Sequence, residues 1–185
     1  DHKFNVVYLG AMGTANALDT LISAAKIVMD KGIDDIQFTL VGDGPLTEKL
    51  KRNAEALRLQ NIEFFNSVPK QYVPGVLSHA GCLNFSASDS PLYRYGVSAN
   101  KLFDYMCSSK PIIFAMNTIN DYIKESGGGI SIKPGNADQM ADAILAIYSM
   151  SQEERNQMGA KGRAFVEQNF DIPILTDKLE EVFHS

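Results

Sequence analysis

Cysteine is scarce. The 185-residue chain holds only Cys82 and Cys107. Both sit in apolar segments and neither belongs to a C-x-x-C pair, so two reduced core thiols are expected. That excludes a disulfide scaffold and fits a reducing cytoplasm. Histidine is equally sparse: His2, His79 and His184 are too scattered for a metal-ligand set, and no Asp-x-Asp motif occurs, so no obligatory metal is expected. No run approaches the about 20 apolar residues that cross a bilayer, and no secretory signal is visible. Basic excess is missing too. The net charge is −5 and the isoelectric point about 5.2, which argues against a nucleic-acid partner. There is no G-x-G-x-x-G fingerprint and no P-loop lysine with Ser/Thr, which excludes a Walker-type ATPase. Linkers, repeats and low-complexity segments are likewise absent.

What is present suits one α/β domain. Hydrophobic residues make up 45% and charged residues 21%, enough for a substantial core. Short apolar runs predict strands at Phe4–Gly10, Ile36–Gly42, Ile62–Ser67, Cys82–Ser88, Pro111–Met116 and Ile130–Lys133. Between Ala17 and Met29, the residues Leu18, Leu21, Ile22, Ala25 and Val28 keep helical spacing. Pro45 suits a first helical position, and a short helix is expected over Gln71–His79, weakened by Pro74. Another helix is expected from Ser98 to Ser108. Asn136 with Gln139, and Ser151 with Glu154, predict two capped helices, and Pro173 begins a last one with Leu175, Leu179 and Val182 in a stripe. Such alternation implies a doubly wound, Rossmann-like parallel sheet of about six strands. Ligands of such sheets bind beyond the C-terminal strand ends. The loops of interest are therefore 10–16, 42–45, 66–70, 86–98 and the segment after Met116.

The segment "YRYGVSANKLFDYMCSSKPIIF" (93–114) carries the most information. At about 100° per residue, Asn100, Asp104, Ser108 and Lys101 share one side of the helix, and Leu102, Met106, Phe103 and Cys107 the other. A lysine in a helix's first turn is locally unfavourable, since that end already carries partial positive charge. It is accommodated if an anion joins it, so N–H groups, dipole and ammonium together read as a phosphate site. Asp104, an acceptor-only group one turn on, suits ribose hydroxyls. A surface Lys–Asp pair explains the same pattern equally well. The glycines of "LGAMGTANA" and "VGDGPL" fit either tight turns or close approach of a ligand to the backbone.

The ordered set "YLGAMG", "ALDTLISAAK", "FTLVGDGPLTEKL", "NIEFFNSVPKQYVPGVLSHAGCLNF", "YGVSANKLFDYMCSSKPII" and "IKPGNADQMADAI" resembles the C-terminal, nucleotide-binding half of GT-B-fold retaining glycosyltransferases of family 4. The likeness runs nearly end to end. It is nearest to bacterial transferases of O-antigen and capsular polysaccharide assembly that move an L-fucosamine-type sugar from a UDP donor. The resemblance implies that Asp104, the second acid of an E-x7-E motif, holds the donor ribose. It places Ser98, Asn100, Lys101 and Leu102 at the diphosphate, with Gly13 and Thr14 approaching from the first loop. Gly42, Asp43 and Gly44 would border the nucleotide cleft, and Val68 and Pro69 would lie beside the base. Two departures stand out. The first acid of the motif falls on Gly96, and the usual Arg and Lys of the first two loops are missing, which leaves the charge to Lys101, with Arg94 as a second source.

The resemblance further implies a single domain over residues 1–185, with an N-terminal acceptor domain elsewhere in a longer protein. The start at Asp1 directly before a strand suggests the same. Such a fragment is expected to bind the donor and turn nothing over. Its partners would be that domain, the nucleotide sugar and an acceptor glycan, free or lipid-linked, in the cytoplasm or at the inner membrane face. A sugar-nucleotide epimerase and a non-catalytic nucleotide-sugar module remain as alternatives.

Overall fold

The apolar runs become parallel strands, and helices cover both faces most completely at 82–86 and 112–115, where every residue is buried. A computed structural model describes residues 3–97 and 99–184. Its strands are β1 (Phe4–Leu9), β2 (Ile36–Val41), β3 (Ile62–Phe65), β4 (Cys82–Ser86), β5 (Ile112–Ala115) and β6 (Gly129–Ile132). They form one six-stranded sheet in the order β3-β2-β1-β4-β5-β6, and every pairing is parallel. The helices are α1 (Leu18–Asp30), α2 (Thr47–Ala56), α3 (Val73–Ser78), α4 (Asn100–Cys107), α5 (Tyr122–Ser126), α6 (Ala137–Ser149), α7 (Gln152–Phe170) and α8 (Ile172–His184).

The period-2 pleat divides the core in two. Val6, Tyr8, Phe38, Leu40, Cys82 and Ile113 face α1 and α6 on one side. Val7, Leu83, Phe85, Ile112 and Phe114 face α4 and α7 on the other. The expected caps form: Asn136 Oδ1 accepts the Gln139 N–H at 2.9 Å, and Ser151 and Glu154 complete a capping box.

Some expectations are corrected. Pro45 lies in a turn before α2 rather than in its first position. The 71–79 helix is a 3-10 turn followed by α3, whose first turn tolerates Pro74. Helix α5 was not anticipated. It is five residues long, capped by Asp121 and stopped by Gly127 at φ 69°. Helix α4 starts at Asn100; Ser98, the expected start, lies outside the described residues. Cys82 is buried, but Cys107 is exposed, because it lies where the last turn of α4 meets an open groove beside Val166 and Phe170. On α8, Leu175, Leu179 and Val182 stay exposed, since α7 already closes that flank of the sheet. No helix among the described residues is long and apolar enough to cross a membrane.

The strand order reverses between β1 and β4. These strands pair only through Val6–Cys82 and Val7–Leu83, then separate. The backbone of Leu9 would be left unbonded in that opening. Tyr105 of α4 fills it: its hydroxyl accepts the Leu9 N–H at 2.7 Å and donates to the Leu9 C=O at 3.0 Å. One side chain thereby fixes α4 against the end of β1 at the switch point. Tyr105→Phe strips both bonds from a buried position. It is expected to cost about 1–3 kcal/mol, read by urea denaturation. A change below about 0.5 kcal/mol would mean the bonds do not hold this corner together.

Candidate functional site

The crevice over the β1/β4 opening is built from the first loop, the end of β4 and the start of α4. Lys101 lies across it. Its stem passes over Gly10, where an added Cβ would come within 3.0 Å of Lys101 Cδ and where φ is 152°, so only glycine fits comfortably. The ammonium donates to Tyr8 Oη at 3.3 Å and to Asn16 Oδ1 at 3.2 Å. It sits 4.4 Å from the Tyr8 ring centroid and 5.0 Å from that of Phe85. Tyr8 and Asn16 are themselves fixed, both donating to Ala11 C=O, at 2.5 and 2.9 Å.

No carboxylate pairs with Lys101 among the described residues. Cation–π contacts supply up to about 2 kcal/mol each when desolvated, while withdrawing an ammonium from water costs several kcal/mol. Burial wins: it pulls the lysine down from its ordinary value to about 8. The helix start beside it is equally uncompensated. The N-cap is Ala99, which offers no capping side chain, and the first turn holds no acid. A cation and a bare helix start therefore converge without an anion.

The other expected residues are placed as follows. Gly13 has open space where a Cβ would be, and Thr14 is exposed at the start of the 14–16 turn, whose last residue, Asn16, meets Lys101. Asn100 is exposed at the first position of α4. Leu102 is corrected: its side chain is 1% exposed within the core and its N–H is already bonded to Ala99 C=O at 2.8 Å, so it offers nothing to a ligand. Gly42 and Gly44 are explained by packing between loops. A Cβ on Gly42 would lie 1.9 Å from Gly10 O, and one on Gly44 2.4 Å from Met12 O. Met12 N–H to Asp43 C=O at 2.8 Å and Leu46 N–H to Met12 C=O at 3.0 Å clasp the two loops.

Asp43 reaches the third loop. Its carboxylate accepts the Ser67 N–H at 3.1 Å, and the hydrogen bonds from Ser67 hold it below the usual aspartate range. Val68 lines a 260 Å³ apolar hollow with Val41, Phe65 and Val76, and Pro69 is exposed beside it. Asp104 is separated from the ammonium. One turn on and about 60° round the helix, it is exposed in a groove with Val73, Leu77 and Arg163. Arg94 lies over the Tyr95 ring, with 5.0 Å to its centroid, in the exposed 91–95 turn. Gly96 has φ 103°, and a Cβ there would meet Asn120 Oδ1 at 3.3 Å. No group of three or more His, Cys, Asp or Glu among the described residues is placed to hold a metal.

Sequence reasoning missed Tyr8, Asn16, Phe85 and Tyr105. The two tyrosines read as apolar core. The available signal was that a buried phenol needs a partner for its hydroxyl.

A doubly wound parallel sheet with an uncompensated cation at its switch point defines an α/β protein of the kind whose ligand crevice lies beyond the strand ends. The chain belongs to the family of glycosyl transferases group 1, whose profile matches residues 1–165. Among curated relatives, alpha-D-kanosaminyltransferase of Streptomyces kanamyceticus is 21% identical over 185 residues, covering 99% of this chain and 46% of the relative. Among solved structures, a point mutant of S. aureus TarM in complex with fondaparinux, alpha-GlcNAc-glycerol and UDP superposes with a TM-score of 0.82 at 19% identity, over 100% of this chain and 36% of that one. Anabaena HepE in complex with UDP and glucose gives 0.81 at 15% identity, over 99% and 48%. These likenesses are of fold. The chain spans less than half the length of each.

The depressed Lys101 pKa has a consequence for stability. Between about pH 8 and its unfolded value, only the unfolded chain holds that proton, so this lysine's contribution to stability rises with pH across that window. Lys101→Met keeps the stem and removes the charge. At pH 7 it is expected to melt at or above the unaltered chain, and to lose that alkaline rise. A melting temperature several degrees lower at pH 7 would show that the ammonium is stabilised where it lies.

Proposed function

We propose that this chain is the donor-binding half of a retaining, family 4-type glycosyltransferase of bacterial surface-polysaccharide assembly. The donor is UDP linked to an N-acetylated amino or deoxy sugar, and the acceptor is a glycan hydroxyl, free or lipid-linked, presented by another domain of a longer protein at the cytoplasmic side of the membrane. One observation carries the reading: Lys101 is held at the start of α4 with neutral partners only, facing the crevice of the β1/β4 switch point.

A donor diphosphate would occupy that corner. Breaking the anomeric bond builds negative charge on the departing phosphate oxygen. A fixed ammonium and prearranged N–H groups then interact more strongly with the leaving group than with the intact donor, which is the differential binding that accelerates the step. Lys101 and the amides at the start of α4 supply the charge, so the reading calls for no resident metal. Gly13 and Thr14 would approach the same phosphates from the first loop. Asp43, through Ser67, sets the loop that would meet the base at Val68 and Pro69. Asp104 would take the ribose from the α3 side of the helix. UDP in the TarM and HepE complexes, and alpha-GlcNAc-glycerol in the former, favour this donor class. Gly96 favours a sugar with few hydroxyls to grip, since no acid stands there.

Thermal shift of the chain with UDP, GDP, ADP and dTDP tests the pocket, because a ligand selective for the folded state raises its melting temperature. UDP is expected to give the largest rise. Lys101→Met should weaken UDP by about tenfold or more, since a charge-assisted contact is lost. No shift with any diphosphate, or unchanged UDP affinity in Lys101→Met by calorimetry, would overturn the assignment.

A further inference from the structure

Asn16 is held from both ends. Its side-chain Nδ2 donates to Ala11 C=O at 2.9 Å, and its own C=O accepts the Ser86 hydroxyl at 2.8 Å. Ser86 in turn accepts from Nδ2 of Asn84 at 3.0 Å, and Asn84 is fully buried with its Oδ1 unpartnered. Ser88 N–H also donates to Ala15 C=O at 2.9 Å. A polar network thus runs from the interior of β4 into the first loop and ends at the Asn16 Oδ1 that accepts from Lys101. That oxygen is fixed, close to the ammonium and uncharged.

We propose that Asn16 is a positioning residue for the anion site: its amide holds Lys101 over the crevice, and its neutrality keeps the ammonium's charge available to a ligand. This rests on the donor reading above and adds a residue to it. An amide oxygen at 3.2 Å orients an ammonium without cancelling it. A carboxylate in the same place would pair with it, much as a diphosphate does, and would compete with the ligand for the same cation. The other groups facing the ammonium do not compete. From β1 comes the Tyr8 phenol, from β4 the Phe85 ring, and the 11–16 loop carries no charged side chain. Asp104, on the same helix, lies in the groove toward α3 and Arg163.

The distinguishing feature is that stability and affinity should move in opposite directions in Asn16→Asp. Asn16→Asp gives the buried cation a partner and removes the site's uncompensated charge. It gives up the Nδ2 bond to Ala11 C=O, which keeps the Tyr8 hydroxyl as donor, and the new ion pair is expected to outweigh that loss. Asn16→Ala loses the tether and leaves the charge. A residue that merely supports the loop would move both properties the same way.

The test measures melting without ligand and UDP affinity by calorimetry at pH 7 and low salt, for the 185-residue chain and both variants. Asn16→Asp is expected to melt higher than the unaltered chain and to bind UDP at least about tenfold more weakly. Asn16→Ala is expected to melt slightly lower and lose only about threefold. The alkaline fall in UDP affinity, expected near pH 8 as Lys101 deprotonates, should move to higher pH in Asn16→Asp. UDP affinity in Asn16→Asp equal to or better than in Asn16→Ala, or a lower melting temperature for Asn16→Asp, up to failure to fold, would overturn the proposal while leaving the donor reading intact. Absence of UDP binding by the unaltered chain would overturn the donor reading and this proposal with it.

Discussion

A lysine ammonium drawn out of water with no carboxylate to meet it is the constraint around which the upper edge of this sheet is arranged. Two aromatic rings, a phenol oxygen and an amide oxygen surround it, and together they fall short of the hydration it gives up, so its proton is held less tightly than in water. A protein selected for stability alone would place a methionine or an aspartate in that neighbourhood. Here the two core layers supply the stability, and the crevice gives up a little of it to hold a charge without a partner.

Keeping that charge in one place requires a rigid surround, and the ties can be followed from loop to loop. Tyr105 joins α4 to the end of β1, where β4 has already turned away. Gly10 leaves room for the lysine stem above the next residue of the chain. The backbone clasp of Met12 with Asp43 and Leu46 then fastens the first loop to the second, at a distance only Gly42 and Gly44 allow. Asp43 passes the connection on to Ser67 and the third loop. Three loops and a helix start therefore share one frame, so a shift at any of them is felt at the ammonium.

Much of this frame was legible in the sequence, for definite reasons. Parallel strands read as short, mostly apolar runs, and all six were visible, the edge strand β3 included although its alternate residues are exposed. Long helices with caps were equally plain. The five-residue α5 escaped because "YIKES" is too short to show a period. The pairing of Lys101 with the first loop was half visible: angular position on a helix shows which residues share a side, not which neighbour each one meets. That is why Asp104, placed beside Lys101 by its angle, faces α3 instead. Glycines are similarly ambiguous. Those of "VGDG" admit a close approach, but the group that approaches is the backbone of the first loop. Tyr8 and Tyr105 were hidden by their hydrophobicity, because the atoms that matter are single hydroxyls at the ends of otherwise apolar side chains.

Gly96 shows how far a missing side chain can be traced to backbone. An acid there would need a Cβ on a residue at φ 103°, a conformation L side chains rarely adopt, and that Cβ would crowd Asn120. Asn120 is itself committed: its Oδ1 accepts the Val97 N–H at 2.8 Å and the Thr118 hydroxyl at 2.7 Å, while its Nδ2 donates to Val97 C=O at 2.7 Å. The segment before α4 is thus closed onto the loop after β5 by one amide, in a shape that excludes the carboxylate. The absence of an acid at 96 belongs to the way two loops are joined, and restoring the acid alone would strain the turn rather than recover a contact. The Asn120 amide, not a side chain at 96, is what shapes the approach to the start of α4 from this side.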